Sequence, residues 1–428
     1  MNAETSTNGE ARSFADRAFL LYQRSACGIL LLLCGVTWPL WIPTDRFPTV
    51  PVAELLCPVP AAVDLMLLGL VVLSSTALFL LGPKNAWSTK LWLSLAVALT
   101  GCFLLNQHRF QPWAYQMAVL AIFFGLAPPT TARRLTIWLT LSIYFYSALS
   151  KLNPSFVNEL GTDFLQTFGT FVGMTWDAEA LVTWKWLALV FPLFEFATFL
   201  LLLSARTRRV GVIAACLMHL GLLLVLGPLG LSHSWGVLQW NLFFIVQVVL
   251  LFWFSPEQAA APHDAAAASR TSWLAQTVCI LVLLFPVLEL IGLGDPWPAW
   301  VLYASHVGRS HLFLPRHTVG RLPPELQKYV AAEPGDELYV PVKLDRWSLD
   351  TTGAPIYPGS RFAFAVGRAF VTKTGTGNFA RFVIESPAGR FRGERDSEAI
   401  AGARMAQEAD RRFWLNTRPR DFYLPGGR

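Results

Sequence analysis

Lys151 is the residue in this 428-residue chain whose type and position best suit proton transfer. It ends a long apolar segment, and Asn153-Pro154 follows almost at once, which stops a helix. A lysine at such a boundary can extend its ammonium group into the headgroup layer of a membrane, which is a structural role. Alternatively, a lysine held in a dry cleft built by a neighbouring hairpin can serve as a general base. Both interpretations stay open on the sequence alone.

Glu195 and His219 form a second candidate pair, near the centres of two consecutive apolar segments at 184–204 and 209–228. Titratable groups at this depth in a membrane are costly, so each is a candidate functional residue. A short Arg-rich turn joins the segments and makes them antiparallel neighbours, which brings both residues to a similar depth. The sequence predicts a hydrogen bond between them, either as a proton relay or ligand contact or as an interhelical clamp.

A third group of polar and aromatic residues fills the connection at 106–116, which reads NQHRFQPWAYQ, with a histidine from the SHSW loop at 232–235 beside it. Such a set can bind a polar headgroup or a quinone ring. It can equally cap helix ends and anchor the chain at a membrane surface. The candidate ligand-binding residues are Asn106, Gln107, His108, Arg109, Trp113, Tyr115 and His233.

Other chemistries have no motif to support them. The chain contains no P-loop, no GxGxxG in a strand–helix setting, no GxSxG and no HExxH. Its six cysteines include no CxxC pair and no spacing with histidine that suits zinc, so no metal site is predicted. A disulfide between Cys57 and Cys102 remains an alternative to free thiols, since Cys57 lies in a connecting loop.

The elements that must position these groups are membrane helices. The chain is 54% apolar and only 14% charged, whereas soluble domains carry roughly 25% charged residues, and disorder needs low hydrophobicity. A bilayer core takes about 20 apolar residues per helix. That length predicts nine spans, at about 26–42, 61–82, 88–105, 114–128, 133–152, 184–204, 209–228, 235–254 and 273–293.

The distribution of basic residues predicts the orientation of these spans. With residues 1–25 as a cytoplasmic segment, 11 of the 15 Lys and Arg residues before position 296 fall in cytoplasmic segments and 4 in the opposite loops. An odd number of spans then places the C-terminus outside the cytoplasm. We expect a bacterial inner or cytoplasmic membrane, with the lipid bilayer as one partner and nucleic acid excluded by the external position of the basic C-terminal part.

The chain divides into a membrane domain over 26–295 and a C-terminal domain over 296–428. The first 295 residues carry 15 basic and 15 acidic residues, and the remainder carries 19 and 13. Turn signals and alternating apolar residues predict strands within 299–315, at 337–344, 361–373 and 380–386, and a helix over 396–414. The fold class is therefore an all-α polytopic membrane bundle with a small α+β extramembrane domain.

Two connecting segments have a distinct character. Residues 153–183 have apolar residues spaced as in an amphipathic helix that lies on or dips into the bundle. Residues 255–272 are Ala-rich and polar, which predicts a solvated linker.

Several short motifs resemble the vitamin K-dependent gamma-carboxylase family and its bacterial relatives of the HTTM superfamily. YFYSALSKLNPSF (144–156) resembles the family segment in which a Tyr-Phe helix end leads to a Lys-Leu-Asp step, and 105–115 resembles the hairpin before it. Met218-His219-Leu220 resembles the family's Phe-His step, and Phe194-Glu195 before the Arg-rich turn also fits. The resemblance covers roughly residues 15–300, and the DoxX/MauE redox-associated membrane proteins are neighbours of the same group.

The resemblance implies a quinone cofactor of the vitamin K type and gives Lys151 the role of the base that starts hydroquinone epoxidation. This chain also departs from the family. Gln111-Pro112-Trp113 stands where the family has Asn-Asn-His, so the histidine that assists carboxylation has no match. Lys151-Leu152-Asn153 replaces Lys-Leu-Asp, and the tail is much shorter. Glutamate carboxylation is therefore not expected.

Two functions follow from these patterns. One is an enzyme of the carboxylase or quinone-oxidising type, with an outward-facing pocket near Lys151 that binds a quinone or lipid. The other is a non-catalytic membrane protein that binds lipid or a partner and displays its C-terminal domain.

Overall fold

The computed structural model describes residues 2–83, 85–254, 272–330 and 338–423, with side chains from residue 14 onward. The Ala-rich linker predicted at 255–272 lies outside the described residues, apart from Ser272, which begins a helix.

A bundle of helices forms the first two thirds of the chain, because apolar runs of about 20 residues are separated by Pro, Gly and Arg-rich turns. The helices are α1 (Asn2–Val36), α2 (Trp38–Trp41), α3 (Ala61–Leu81), α4 (Ser88–Leu105), α5 (Pro112–Leu126), α6 (Pro129–Lys151), α7 (Pro154–Asn158), α8 (Leu160–Phe171), α9 (Ala178–Trp184), α10 (Val190–Leu203), α11 (Arg208–Leu226), α12 (Trp235–Val248) and α13 (Ser272–Leu290). A 3₁₀ turn at Lys185–Leu189 joins α9 to α10, and a π-helical turn at Val249–Trp253 extends α12.

Seven helical segments in the described part of the chain are long and apolar enough to cross a membrane, so the chain has the build of a multi-pass membrane protein. They are Phe14–Val36, Ala61–Leu81, Ser88–Leu105, Ala178–Leu203, Arg208–Leu226, Trp235–Trp253 and Ser272–Leu290. The predicted count of nine is not confirmed. The first of these segments also begins at Phe14, twelve residues before the predicted span, because α1 continues through the supposed N-terminal flank.

The two remaining predicted spans are α5 and α6, which are consecutive helices. α5 has 15 residues and is short for a crossing, whereas α6 has 23 residues but a more polar composition. α6 packs against α5, α10 and α13, and most of its side chains are buried in protein. A helix that packs mostly against other helices is shielded from lipid, so it can carry polar residues that a lipid-facing helix cannot.

The amphipathic pattern after α6 is confirmed as a helix. α8 buries Phe164 and Leu165 against the bundle and leaves Phe168 and Phe171 exposed. Phe164 meets Phe191 edge-on, with ring centroids 5.8 Å apart, which ties this connecting helix to the segment that starts α10.

The C-terminal domain is a four-stranded antiparallel sheet of order β2-β1-β3-β4 with helices packed on it. The strands are β1 (Arg309–Pro315), β2 (Tyr339–Val342), β3 (Arg381–Glu385) and β4 (Ser397–Ala401). The helices are α14 (Arg316–Val319), α15 (Pro324–Gln327), α16 (Leu344–Thr352), α17 (Ser360–Thr374) and α18 (Met405–Arg412).

Two predicted elements of this domain are wrong. Residues 361–373 form the helix α17 instead of a strand, because the same apolar residues also fit the i, i+4, i+8 spacing that packs on β1. Gly367 allows this close approach, since a Cβ there would lie 2.7 Å from the Phe382 ring. The helix predicted over 396–414 is divided into β4, which pairs with β3, and the short α18.

Candidate functional site

The connection between α4 and α5 is the joint on which the C-terminal domain rests. A 3₁₀ turn holds Gln107–Arg109, and the side chain of Asn106 caps it by accepting the His108 N–H at 3.1 Å. Gln107 donates through Nε2 to the carbonyl oxygens of Pro51 at 2.9 Å and Asn416 at 2.8 Å. Its Oε1 accepts the Arg361 Nε–H at 3.0 Å, so both ends of its amide serve the joint.

His108 is fully buried in this joint. Its Nε2 lies 3.0 Å from the Pro355 carbonyl oxygen and 3.2 Å from the Ser348 hydroxyl, both in the C-terminal domain. Its ring also lies between Phe47 and Phe362, with centroids 5.3 Å away on each side. Burial lowers the pKa of His108 from its ordinary 6.5 to about 4, so the ring is neutral at neutral pH.

Arg109 belongs to a buried cluster of three charges at the same joint. Its Nη1 donates to Asp64 on α3, and its Nε and Nη2 donate to the carbonyl oxygens of Leu40 and Trp41 at 3.0 and 2.9 Å. The second oxygen of Asp64 accepts from Arg420 of the C-terminal segment at 2.6 Å. One carboxylate therefore ties two arginines, one from each domain, out of contact with solvent. Asp64 is not among the residues predicted from the sequence, although an acidic residue in the first turn of an apolar span is a usable signal.

The four polar residues of the predicted ligand-binding hairpin thus have partners within the protein. Asn106, Gln107, His108 and Arg109 cap a turn and bind the C-terminal domain, and the structure places them at this joint and not on the wall of the cavity described below.

The predicted hydrogen bond between Glu195 and His219 is replaced by other partners. His219 Nε2 lies 2.7 Å from the Tyr144 hydroxyl, and its Nδ1 lies 3.0 Å from Asn241 Oδ1. Asn241 Nδ2 is used by the Val237 carbonyl, so the imidazole donates through Nδ1 and accepts the Tyr144 O–H through Nε2. The two residues therefore bind α6 about two helical turns apart, at Tyr144 and at Lys151, and the expected pairing at one depth is not found.

Glu195 instead binds Lys151. The ammonium nitrogen lies 2.9 Å from the carboxylate Oε2 and donates to the Ser147 hydroxyl at 2.6 Å. The two side chains are 8% and 14% exposed, so the pair is largely shielded. Lys151 ends its helix where the sequence predicted, and it is buried, but its charged partner comes from α10 and not from the 106–116 hairpin.

Further polar residues extend this arrangement along α6. Thr140, Tyr144, Ser147 and Lys151 repeat at intervals of three and four residues and so face one side of the helix. Below Tyr144, Gln247 Nε2 donates to Thr140 at 3.0 Å, and Gln247 Oε1 accepts from Tyr22 and Gln116 at 3.1 and 2.7 Å. We call this set, with its partners on neighbouring helices, the α6 polar seam; it satisfies buried groups that would otherwise be stranded in an apolar layer.

A cavity of about 200 Å³ lies between the bundle and the C-terminal domain, at the ends of α5, α8 and α12. Trp113 and His233 of the predicted ligand-binding set line it, whereas Tyr115 is not on its wall and has its ring centroid 5.0 Å from that of Trp300, with the ring planes tilted by 30°. Lys151 is not one of the lining residues. Those that bound it are mostly apolar or aromatic: Gln111, Pro112, Trp113, Leu160, His233, Val237, Trp240, Trp297, Val301, Leu302, Tyr303, Ala304, Val307, Pro355, Ile356 and Pro358.

Two polar groups on the wall of this cavity have hydrogen-bonding capacity to spare. The Tyr303 hydroxyl is buried and has no partner among the described residues, and burial raises the pKa of Tyr303, so the O–H keeps its proton. Burial lowers the pKa of His233, and its Nδ1 accepts the Ser234 N–H at 2.9 Å. In the neutral ring the proton therefore sits on Nε2, which makes that nitrogen a donor.

Backbone strain is concentrated beside this cavity. Ser232, Trp300 and Tyr303 are the described non-glycine residues with positive φ, at 49°, 56° and 53°. Side chains with a Cβ rarely adopt this conformation, and strained backbone tends to persist where a ligand site requires it. The segment 299–308, predicted as the start of a strand, is irregular for this reason, and β1 begins only at Arg309. Tyr303 was not predicted from the sequence, although the aromatic run PWPAWVLY (296–303) directly after the last span is a signal for this site.

The remaining predictions concern sulfur and metals. All six cysteines are free thiols, so the Cys57–Cys102 bridge is not formed. Within the described residues, no cluster of three or more His, Cys, Asp or Glu side chains could hold a metal ion.

Comparison with protein-family models, with curated proteins and with solved structures finds no match for this chain. The resemblance to the carboxylase and HTTM proteins stays a prediction from short motifs.

Proposed function

We propose that this multi-pass membrane protein binds a lipid-soluble ring compound of the quinone type in the cavity between its helix bundle and its C-terminal domain. The observation that carries the proposal is a cavity with aromatic walls and two spare hydrogen-bond donors, Tyr303 O–H and His233 Nε2–H. A quinone presents flat apolar faces and two carbonyl oxygens that accept hydrogen bonds, which complements this wall.

The volume supports a ring and not a whole lipid. A cavity of roughly 150 Å³ holds a benzene molecule, whereas pockets for drug-sized ligands measure about 300–1,000 Å³. The 200 Å³ here accommodates one or two fused rings, and a prenyl chain would run outward between the helices. Trp113, Trp240 and Trp297 provide the flat surfaces for stacking.

The proposal is one of binding, with the cavity on the extracytoplasmic side. The orientation is supported by the distribution of Lys and Arg, and the parity of the spans is the same whether α5 and α6 both cross the membrane or neither does. A base at Lys151 is not part of the proposal, since its ammonium is held by Glu195 and it does not line the cavity.

Quenching of tryptophan fluorescence tests the proposal, with 1,4-naphthoquinone as the probe and the full-length protein in lipid nanodiscs. We expect saturable quenching by the parent protein. A lost hydrogen bond costs about 0.5–1.5 kcal/mol, so Tyr303→Phe and His233→Leu should each weaken binding by about 2- to 13-fold. Ala304→Trp, which fills the cavity, should abolish the saturable part.

Tyr339→Phe is the matched control, because this tyrosine lies on the edge strand β2, away from the cavity. It should bind the probe like the parent protein. Quenching that rises linearly with probe concentration, or that is the same in Ala304→Trp and the parent, would contradict the proposal.

A second function is favoured by the buried Arg109–Asp64–Arg420 cluster, namely the rigid display of the C-terminal domain by a non-catalytic membrane protein. A domain held by a desolvated charge cluster keeps one position relative to the bilayer. This function needs no ligand, so absence of probe binding together with an intact, protease-resistant joint would favour it.

A further inference from the structure

We infer that the loop at 386–396 of the C-terminal domain is a lipid-binding finger that contacts phospholipid headgroups of the adjacent leaflet. This inference is independent of the proposed ligand in the cavity.

The loop lies at the level where two helices end. Arg390 Nη2 binds Glu289 Oε2 at 2.6 Å, and Glu289 belongs to the last turn of α13. A Cβ added to Gly393 would lie 3.4 Å from Pro154 and 3.6 Å from the Ser155 hydroxyl, so this part of the loop rests on α7, directly after the end of α6. The loop therefore contacts the last turn of α13 and the start of α7, just after α6 ends. The end of α13 is also where its apolar span stops.

The tip of the loop carries the two side chains that a membrane surface selects. Phe391 is 95% exposed, which is unusual for a large aromatic residue without a partner. Arg392 follows it, is exposed, and has no ion-pair partner among the described residues. Ile291 and Leu293, in the turn after α13, are also exposed, at 65% and 76%.

Adjacent aromatic and basic side chains suit the boundary between acyl chains and headgroups. The ring enters the apolar side of the boundary, and the guanidinium binds phosphate oxygens in the fork geometry that arginine provides. An open depression of about 430 Å³ runs along the loop, bounded by Arg390, Arg392 and Arg395 together with Glu394 and Asp396. The acidic residues moderate the charge, so we expect contact with phosphate as such and a modest preference for anionic lipids.

The occupant is taken to be lipid because of where the finger lies. Arg395 donates to the carbonyl oxygens of Val307 and Ser386 at 2.8 and 2.9 Å, which fixes the base of the loop to the segment that follows α13. A rigid base at this level leaves the tip facing the bilayer surface in the assembled protein.

The first experiment measures contact directly. The variant Phe391→Cys, labelled with bimane, is placed in nanodiscs that contain phosphatidylcholine with a nitroxide on the headgroup. We expect at least a twofold loss of bimane fluorescence. Leu338→Cys is the control, because Leu338 is exposed next to Pro315, at the opposite end of β1 from Arg309. Equal quenching at both positions would overturn the inference.

The second experiment measures headgroup binding by native mass spectrometry of the full chain with phosphatidylglycerol. Arg392→Gln should reduce the fraction of protein that retains this lipid by about half or more, and Phe391→Ser should do so as well. Arg321→Gln removes an exposed arginine on the turn between α14 and α15, outside the finger, and should leave retention unchanged. Equal retention by Arg392→Gln and the parent would contradict the role of this guanidinium, and an equal loss in Arg321→Gln would reduce the effect to net charge.

Discussion

Two tyrosine–histidine pairs in different regions of the protein differ in how far their hydrogen bonds are satisfied. In the α6 polar seam, Tyr144 donates to His219, which donates to Asn241, so the Tyr144 O–H and both imidazole nitrogens have partners. At the cavity, the Tyr303 and His233 rings touch with centroids 5.7 Å apart, but the hydroxyl has no described partner.

The backbone conformation also differs between the two pairs. The seam residues lie within regular helices, whereas Tyr303 has φ of 53° in an irregular segment. A buried polar group that is fully bonded serves stability and specificity, while a buried group that is left unbonded on strained backbone indicates a ligand. Titratable residues in apolar segments are therefore candidates for function. Whether each one has a structural or a ligand-binding role depends on whether its hydrogen bonds are satisfied within the protein.

The largest expected effect concerns Asp64, a buried carboxylate with an arginine on each oxygen. Asp64→Ala leaves the Arg109 and Arg420 guanidinium groups buried without a counter-charge, and breaking a buried ion pair costs about 3–5 kcal/mol. We expect that loss in the free energy of unfolding in detergent, together with earlier proteolysis near residue 420. Glu54→Ala removes an exposed partner of Arg418 and should cost about 0–1 kcal/mol. Similar losses for both variants would remove the distinction between buried and exposed clusters.

A double-mutant cycle on Lys151 and Glu195 sharpens the structural side of the comparison. Lys151→Met and Glu195→Gln should each cost about 3–5 kcal/mol, because each leaves one charged partner in a shielded site. The double variant should cost less than the sum, with a coupling of about 0.5–3 kcal/mol. Additive losses in thermal unfolding would show that the pair does not act as a unit.

The pH dependence of the joint tests a histidine that is buried and neutral. The pKa of His108 is about 4 in the folded protein and 6.5 without the fold, so the unfolded chain binds more protons between these values. Stability is therefore complete above pH 6.5 and decreases as the pH falls toward 4, by up to about 3 kcal/mol from this group. His108→Gln should show a flatter decrease in unfolding free energy over this range. The same slope in both proteins would mean that His108 is not responsible.

The smallest effects test the comparison itself. Tyr144→Phe removes a satisfied hydrogen bond and should lower the free energy of unfolding by about 0.5–1.5 kcal/mol. Tyr303→Phe removes a hydroxyl without a described partner and should leave the free energy of unfolding within about 0.5 kcal/mol of the parent protein. Binding of the quinone probe should change in the opposite order, weakening in Tyr303→Phe only. Equal stability losses would show that the two pairs do not differ.

Much of the bundle was readable from the sequence, because helices in an apolar layer must be long and apolar. This requirement located the predicted helices to within a few residues for most spans, the end of α6 at Lys151 and the amphipathic α8. It did not fix the count of spans, since α6 is surrounded by protein and can be polar. In the C-terminal domain, the apolar residues of 361–373 fit both the two-residue spacing of a strand and the four-residue spacing of a helix. Only packing on β1 selected the helix.

The sequence by itself determined that this is a membrane chain with titratable residues inside its apolar segments. The tertiary structure alone decided which of them meet: Glu195 binds Lys151, His219 binds Tyr144, and the polar hairpin binds the C-terminal domain. The physical reason is that position along a helix gives depth only, whereas contact also depends on the rotation of each helix and on its neighbours. The cavity likewise required segments far apart in the chain, Trp113, His233 and Tyr303, to converge at one end of the bundle.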